Sequence, residues 1–449
     1  MVLAPLIDGG NEVVVPLTPW IALPSVVRRT AHDEGSEPAA PGCGAKRQVV
    51  DMGTGTVESS SIGGFVEAGF EAVRDAFAAA AAQPGGAAFA AYKDGQLVVD
   101  LWLGEAAPGR PWQEDTPAVI MSATKGIAAL AGHILVDRGL LDLDEPVATY
   151  WPEFAAAGKT AVLVRHVFAH TSGVITVPGY VDFMRPDGTG WDQEDEIVRR
   201  IAGATPLWEP GTKATYHALT YGWMMDELIR RITGKSVRDV IRDEITTPLG
   251  IDISIGAEEG SSLGERRAHV ISPPRATEQQ PDRFAFEQAF TSPDTPLGQS
   301  VLADGTSNVV LELERFMNDG PGITVPLSGT DGISTARDLA RMYQLLAQGG
   351  ELDGVRLLSQ EAVQKAGSVQ FDGPDEIWGM PTRWALGFQL SGAMGMRFGL
   401  ADSGFGHPGQ GGQYGWADPD RGLSFAFVRS YLGLEFDLAA MDALYEAIR

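Results

Sequence analysis

The sequence predicts an α+β fold: an antiparallel sheet flanked by terminal helices, with an inserted all-helical domain. Three observations predict it. Strand patterns around turn residues stand at both ends of the periodic part of the chain, at 87–92 with 97–103 and at 413–417 with 423–428. Helical periodicity flanks them, through Phe65, Phe70, Val73 and Phe77 on one side and Leu438, Met441, Leu444 and Ile448 on the other. Helix signals and Pro-rich connections fill the middle.

Taken in order, residues 1–60 carry Pro5, Pro16, Pro19, Pro24, Pro38 and Pro41 and show no sustained period. They predict a poorly ordered extension with one short strand at 12–15. The first hairpin turns at Lys93-Asp94-Gly95, where Asp-Gly supplies positive φ. From about Ser122, Ile127, Leu130, Ala131, Ile134 and Leu135 recur at helical spacing, and Gly139 stands where a left-handed C-cap belongs. A helix is predicted over 220–233 with Gly234 as its stop, then an irregular stretch between Glu258 and Asp294. Gly332-Ile-Ser334-Thr335 caps a helix over 336–347 whose inward face is Leu339, Met342 and Leu346. The second hairpin turns at Asp418-Pro-Asp-Arg-Gly422. The division is therefore an extension 1–60, a sheet domain 61–140 with 326–449, and a helical domain 141–325.

Composition narrows the function. The 449 residues are 44% hydrophobic, enough for a large core. Thirty-four basic against 59 acidic residues give a net charge of −25, which repels nucleic-acid phosphates and anionic lipid headgroups. No apolar run reaches the roughly 18 residues of a membrane span. One cysteine, Cys43, excludes an intramolecular disulfide and a multi-cysteine zinc site. The start lacks a basic n-region and its apolar run ends at Asp8, which predicts a cytoplasmic protein.

Three segments carry chemistry. Ser122 is the only serine with a lysine three residues later, Lys125, and it stands at the start of a strong amphipathic helix. Positions i and i+3 share a helix face, so the amine reaches the hydroxyl. A serine hydroxyl needs a base, and burial lowers a lysine pKa toward that use. The second segment is a Pro-Gly turn leading to Tyr216-His217-Ala218, a tyrosine on a loop before a helix. The third, Gly404-Phe-Gly-His407-Pro408-Gly409-Gln410, is glycine-rich and lets backbone approach a ligand closely. It also fits G-x-G-x-x-G, but that fingerprint opens a helix, and here proline and a hairpin follow. His166 and His170 have a spacing used by zinc ligands, without the glutamate or cysteine that would complete such a site. Thr171-Ser172 lacks a lysine in register and reads as a turn.

In this order the segments resemble the serine β-lactamase and penicillin-binding-protein superfamily, and its esterase branch, the family VIII carboxylesterases, most closely. Ser122-x-x-Lys125 matches the first motif, Tyr216-His217-Ala218 the second, and His407-Pro408-Gly409 the third. His170-Thr-Ser-Gly-Val174, Pro248-Leu-Gly250 and Gly411-Gly-Gln-Tyr-Gly-Trp416 read like the same branch, from about residue 62 onward. The resemblance implies a cleft between sheet and helical domains. It implies Ser122 as nucleophile, with Lys125 and Tyr216 sharing the proton work. It implies an oxyanion hole from the N–H groups of Ser122 and Gln410, with substrate contacts at His407, Gly409 and His217. No cofactor or metal is required. Ala218 and His407 depart from the amide and lysine that hold a β-lactam. The expected partner is thus a small-molecule ester, with β-lactam or D-amino-acid peptide hydrolysis and acyl transfer as rivals.

Overall fold

The computed structural model describes residues 3–8, 11–16, 62–258, 260–393, 403–433 and 436–449. Its centre is one antiparallel sheet with strands β1 (Gly63–Val66), β2 (Gly86–Lys93), β3 (Gln96–Ala107), β4 (Phe371–Pro374), β5 (Pro381–Trp384), β6 (Gln389–Leu390), β7 (Phe405–Gly409), β8 (Gln413–Asp418) and β9 (Leu423–Arg429). Their order is β4-β5-β6-β7-β8-β9-β2-β3-β1, and Arg110–Pro111 pairs with β3 to make ten strands. The two halves of the chain meet where β9 pairs with β2, Phe425 opposite Ala91 and Phe427 opposite Phe89. Both hairpin turns form as their residues dictate. Asp94 and Gly95 take φ of 48° and 83°, and Gly422 takes 58°.

The sheet sorts its side chains by the strand period of two. Ala87, Phe89, Ala91, Tyr414, Trp416, Phe425 and Phe427 face helices α1 (Glu71–Phe77) and α5 (Ala439–Ala447), through Val73, Phe77, Met441 and Leu444. Ala88, Ala90, Tyr92, Ala417 and Ala426 face the opposite core. There α2 (Thr124–Asp137), α3 (Thr220–Thr233) and α4 (Ala336–Ala347) pack, with Leu339, Met342 and Leu346 of α4 turned inward. Small residues on this face let α4 lie close. A Cβ at Gly415 would stand 2.3 Å from the Tyr343 ring.

Helix α2 is the central element. Residues 124–135 are all buried, so the apolar stripe legible in the sequence is one side of a helix enclosed all round. It ends as predicted at Gly139, φ 69°, where Gly139 donates to the Val136 carbonyl and Leu140 to that of Leu135.

Four expectations change. Phe65 lies on β1 and is 40% exposed, so the first helical run is shorter than its period suggested. The stretch 258–294 contains the helices Ser262–Arg266 and Pro281–Phe290. The insertion is helix-rich but not all-helical, because Ile253–Ile255 pairs with Gly332–Ser334, which also pairs with Ala118–Val119. The extension's strand is part of a hairpin, Leu3–Asp8 with Asn11–Pro16, and the remainder of 1–60 lies outside the described residues.

Candidate active site

Ser122 sits in a tight turn, Met121–Ala123, at the entry to α2. Met121 there takes φ 49°. A left-handed non-glycine residue costs about 1–3 kcal/mol and persists only where surroundings fix it. Thr124 supplies that fixing: its hydroxyl donates to the Met121 carbonyl and accepts the Gly332 N–H at 2.8 Å. Ile120 donates to the Gly332 carbonyl at 2.8 Å, so the turn hangs on the small sheet beneath it.

Lys125 is fully buried. Its Nζ donates to the carbonyls of Ala218 at 2.8 Å and Gly329 at 2.6 Å, and lies 3.2 Å from Ser122 Oγ. Burial pushes its pKa well below that of a free lysine. The amine also stands 4.9 Å from the centroid of the Tyr216 ring.

Tyr216 comes from the loop before α3. Its phenol oxygen is buried without a partner meeting hydrogen-bond geometry among the described residues. Burial pushes its pKa upward, and the neighbouring Ser122 hydroxyl pulls the other way. The ring lies parallel to Trp384 with centroids 5.9 Å apart, and beside His170 at 5.2 Å and His407 at 6.2 Å.

The third segment is the end of β7. A Cβ at Gly409 would lie 2.3 Å from the Ile120 carbonyl oxygen and 3.2 Å from the Ser122 nitrogen, so only glycine allows this strand end to touch the nucleophile's turn. Gln410 follows directly. Buried Gln413 ties the region together, its amide donating to the carbonyls of Val119 at 2.7 Å and Gln410 at 3.4 Å. His407 is buried, with Nδ1 2.7 Å from the Pro408 carbonyl. Burial, aided by Lys125, lowers its pKa to about 3. The ring is therefore neutral well below the mildly acidic pH at which sequence reasoning let it charge.

Ser122, Lys125, Tyr216, His407, Gly409 and Gln410 thus converge. The His217 ring is fully buried, with Nε2 2.8 Å from Ser172 Oγ and Nδ1 2.7 Å from the Thr215 carbonyl, so both ring nitrogens have protein neighbours. His170, paired on paper with His166, instead accepts the His217 N–H at 3.1 Å. Among the described residues no cluster of three His, Cys, Asp or Glu side chains could hold a metal ion, and no helix is long and apolar enough to cross a membrane.

Sequence reasoning missed the supports. The Gly329 carbonyl is 204 residues from Lys125 and belongs to a loop with no motif. Asp375 holds the Tyr216 N–H at 2.7 Å from 159 residues away. Backbone carbonyls leave no trace in residue type, and a lone aspartate beside glycine and proline reads as a turn.

The fold is that of the serine hydrolases built on the β-lactamase fold. The beta-lactamase family model matches residues 73–447. The chain is 37% identical over 376 residues to the esterase/beta-lactamase LipL of Mycobacterium tuberculosis, covering 81% of this chain and 82% of that protein. Among solved structures it resembles a penicillin-binding protein homolog from Caulobacter crescentus, with TM-score 0.74, 31% identity, and coverage of 86% of this chain and 99% of that one. It also resembles a family VIII carboxylesterase, with TM-score 0.72, 28% identity and coverage of 86% and 99%. The chain belongs to the β-lactamase and penicillin-binding-protein superfamily, in its esterase branch.

Proposed function

We propose that this protein hydrolyses carboxylic esters of short to medium acyl chain through an acyl-enzyme on Ser122. The observation that carries the reading is the environment of Lys125. A neutral amine has two N–H donors and one lone pair. The carbonyls of Ala218 and Gly329 take the two donors, and the remaining direction faces Ser122 Oγ. Burial favours that neutral form. Burial equally favours the neutral phenol of Tyr216. The pair therefore stands as a base beside an acid.

In acylation Lys125 takes the Ser122 proton as Oγ attacks the ester carbon. The oxyanion is held by the N–H groups of Ser122 and Gln410, donors of a kind usually worth about 3 kcal/mol each. Tyr216 gives its proton to the departing alcohol. In deacylation the Tyr216 phenolate takes a proton from water, which attacks the acyl carbon. Lys125 returns its proton to Ser122 as the acid leaves. Every group ends as it began.

Ala218 offers a methyl where β-lactam binding uses an amide, and neutral His407 replaces a cation. Both favour simple esters over β-lactams, because a polar substrate group is discriminated by the buried partner that meets it. The test is kcat/KM for p-nitrophenyl acetate and butyrate against nitrocefin under one condition. Esters should win by a wide margin; nitrocefin equal to or faster than the esters would make the β-lactamase reading the correct one.

A further inference from the structure

We propose that Asp375 is a positioning residue that sets Tyr216 and Trp378 as one unit, and that Trp378 selects the alcohol portion of the ester. The second half rests on the ester-hydrolase reading above. Asp375 is buried and follows β4. Its Oδ2 accepts the Tyr216 N–H at 2.7 Å. Its Oδ1 accepts the Thr215 hydroxyl at 2.6 Å and the N–H groups of Ile377 at 2.9 Å and Trp378 at 2.8 Å. All four partners are donors, so the site calls for a group that only accepts. An asparagine in either orientation would turn its NH2 against Tyr216 or against the other three.

The backbone continues the clamp. Glu376 donates to the Ala214 carbonyl at 3.0 Å, and the turn closes on itself through Asp375 N–H to the Met380 carbonyl at 2.8 Å. Two segments remote in sequence are thereby locked, and each carries an aromatic ring to the other. The Trp378 ring meets Tyr216 edge-on, centroids 6.4 Å apart and planes at 66°. Trp378 also meets Phe290 edge-on at 5.6 Å, and Phe290 stacks on Phe286 at 5.3 Å. A chain of aromatic contacts therefore links Tyr216 through Trp378 to the helix Pro281–Phe290. The part of the substrate nearest Tyr216 is the oxygen that receives its proton, which is the alcohol oxygen. These rings accordingly border the alcohol and not the acyl chain, and they suit an aromatic or bulky apolar alcohol.

The experiment uses the full chain, with Asp375→Asn, Thr215→Val and Trp378→Ala. It compares ethyl and benzyl acetate, which vary the alcohol, with p-nitrophenyl acetate and butyrate, which vary the acyl chain. Asp375→Asn should lower kcat at least about tenfold on every ester with KM little changed, and should raise hydrogen exchange at residues 213–217 and 376–378. Thr215→Val, which removes one donor, should show a smaller fall of the same kind even where Asp375→Asn fails to fold. Trp378→Ala should reduce the benzyl-to-ethyl ratio of kcat/KM about tenfold and leave the acetate-to-butyrate ratio unchanged. Unchanged kcat and exchange in a folded Asp375→Asn protein, or in Thr215→Val where only that variant folds, overturn the positioning role. A Trp378→Ala protein that alters acyl preference instead of alcohol preference overturns the selectivity. A wild-type protein inactive on every ester sinks the hydrolase reading and with it the alcohol assignment, and exchange alone then decides the role of Asp375.

Discussion

Among the described residues two lysines, Lys125 and Lys159, are fully buried, and they show how partners decide what a buried amine does. Lys159 donates to three carbonyls, of Ala156, Ala202 and Ala204, which match the three donors of an ammonium. Burial lowers its pKa only to about 8, and it serves as a cap for the helix Glu194–Gly203. Lys125 has two carbonyls and a hydroxyl that can itself donate, and burial pushes its pKa well below that of a free lysine. Replacing Lys125 by Ala or Tyr216 by Phe should each cost at least about 100-fold in kcat, the scale of losing a general base or acid. The double variant should cost less than the product, because the two act as one unit; clean multiplicativity in steady-state kinetics would separate their roles. The sign of the pH dependence follows too. Activity should rise with pH as Lys125 loses its proton, and should do so below the range of a free lysine. His407, lowered to about 3, should contribute no inflection near neutrality. A His407→Asn protein should therefore keep the shape of the kcat/KM profile between about pH 5 and 8, whatever its rate; a changed inflection there would show that the imidazole titrates. Ser122, Lys125 and Tyr216 were legible because their types and spacing are rare in combination. Asp375 and the Gly329 carbonyl were not, since their contacts span long sequence separations.

At the scale of elements, the motifs that fix a turn or a cap by local chemistry read cleanly. Asp94-Gly95, Gly139, Gly234 and Thr335 each take the conformation or bond their residue type dictates, Thr335 accepting the Asp338 N–H at 3.0 Å. Elements fixed by tertiary contact did not read. β4, β5 and β6 run two to four residues and contain Gly373, Pro374 and Pro381, so no alternation announces them. The helix Pro281–Phe290 was hidden within a polar, Pro-rich stretch, although Pro281 at its first position is a recognised start. The junction of β7 with the turn before α2 gives the sharpest test at this scale. Gly409→Ala would place a methyl against the Ile120 carbonyl oxygen, backbone that cannot swing aside. It should cost about 1–3 kcal/mol, the range of overpacking. On the proposed mechanism it should cost more in kcat than in KM, because Gln410, the proposed oxyanion donor, follows Gly409 directly. A thermal melt with ester kinetics checks both, and wild-type behaviour would mean that strand and turn are not in contact.

For the whole molecule, the site exists because two parts of the chain meet around Lys125, one supplying α2 and β7 and the other α3 and the Gly329 loop. That loop is held to α3 by Asp226, whose carboxyl Oδ2 accepts the Ser328 N–H at 3.2 Å. Gly222 permits the approach, because a Cβ there would lie 2.6 Å from the Gly329 nitrogen. Burial pushes the Asp226 pKa up to about 8. A carboxyl raised in the folded state stabilises below its ordinary pKa of 3.8, and that contribution is lost as pH rises toward about 8. Asp226→Asn keeps the acceptor and removes the titration. The melting temperature of the variant relative to wild type should therefore climb from about pH 4 to 8 and then level; a constant difference would show that Asp226 titrates normally. The architecture of a sheet assembled from both ends around a helical insertion was readable because its hairpins lie far apart in sequence. The seam between the parts was not, being made of backbone carbonyls and glycine contacts. The most direct measurement of the central claim is intact-mass and peptide-mapping analysis of enzyme quenched during turnover of p-nitrophenyl butyrate. A gain of one butyryl group on the peptide bearing Ser122, absent from Ser122→Ala, is the predicted result. Turnover with no acyl group on Ser122, or undiminished turnover by folded Ser122→Ala, would contradict it.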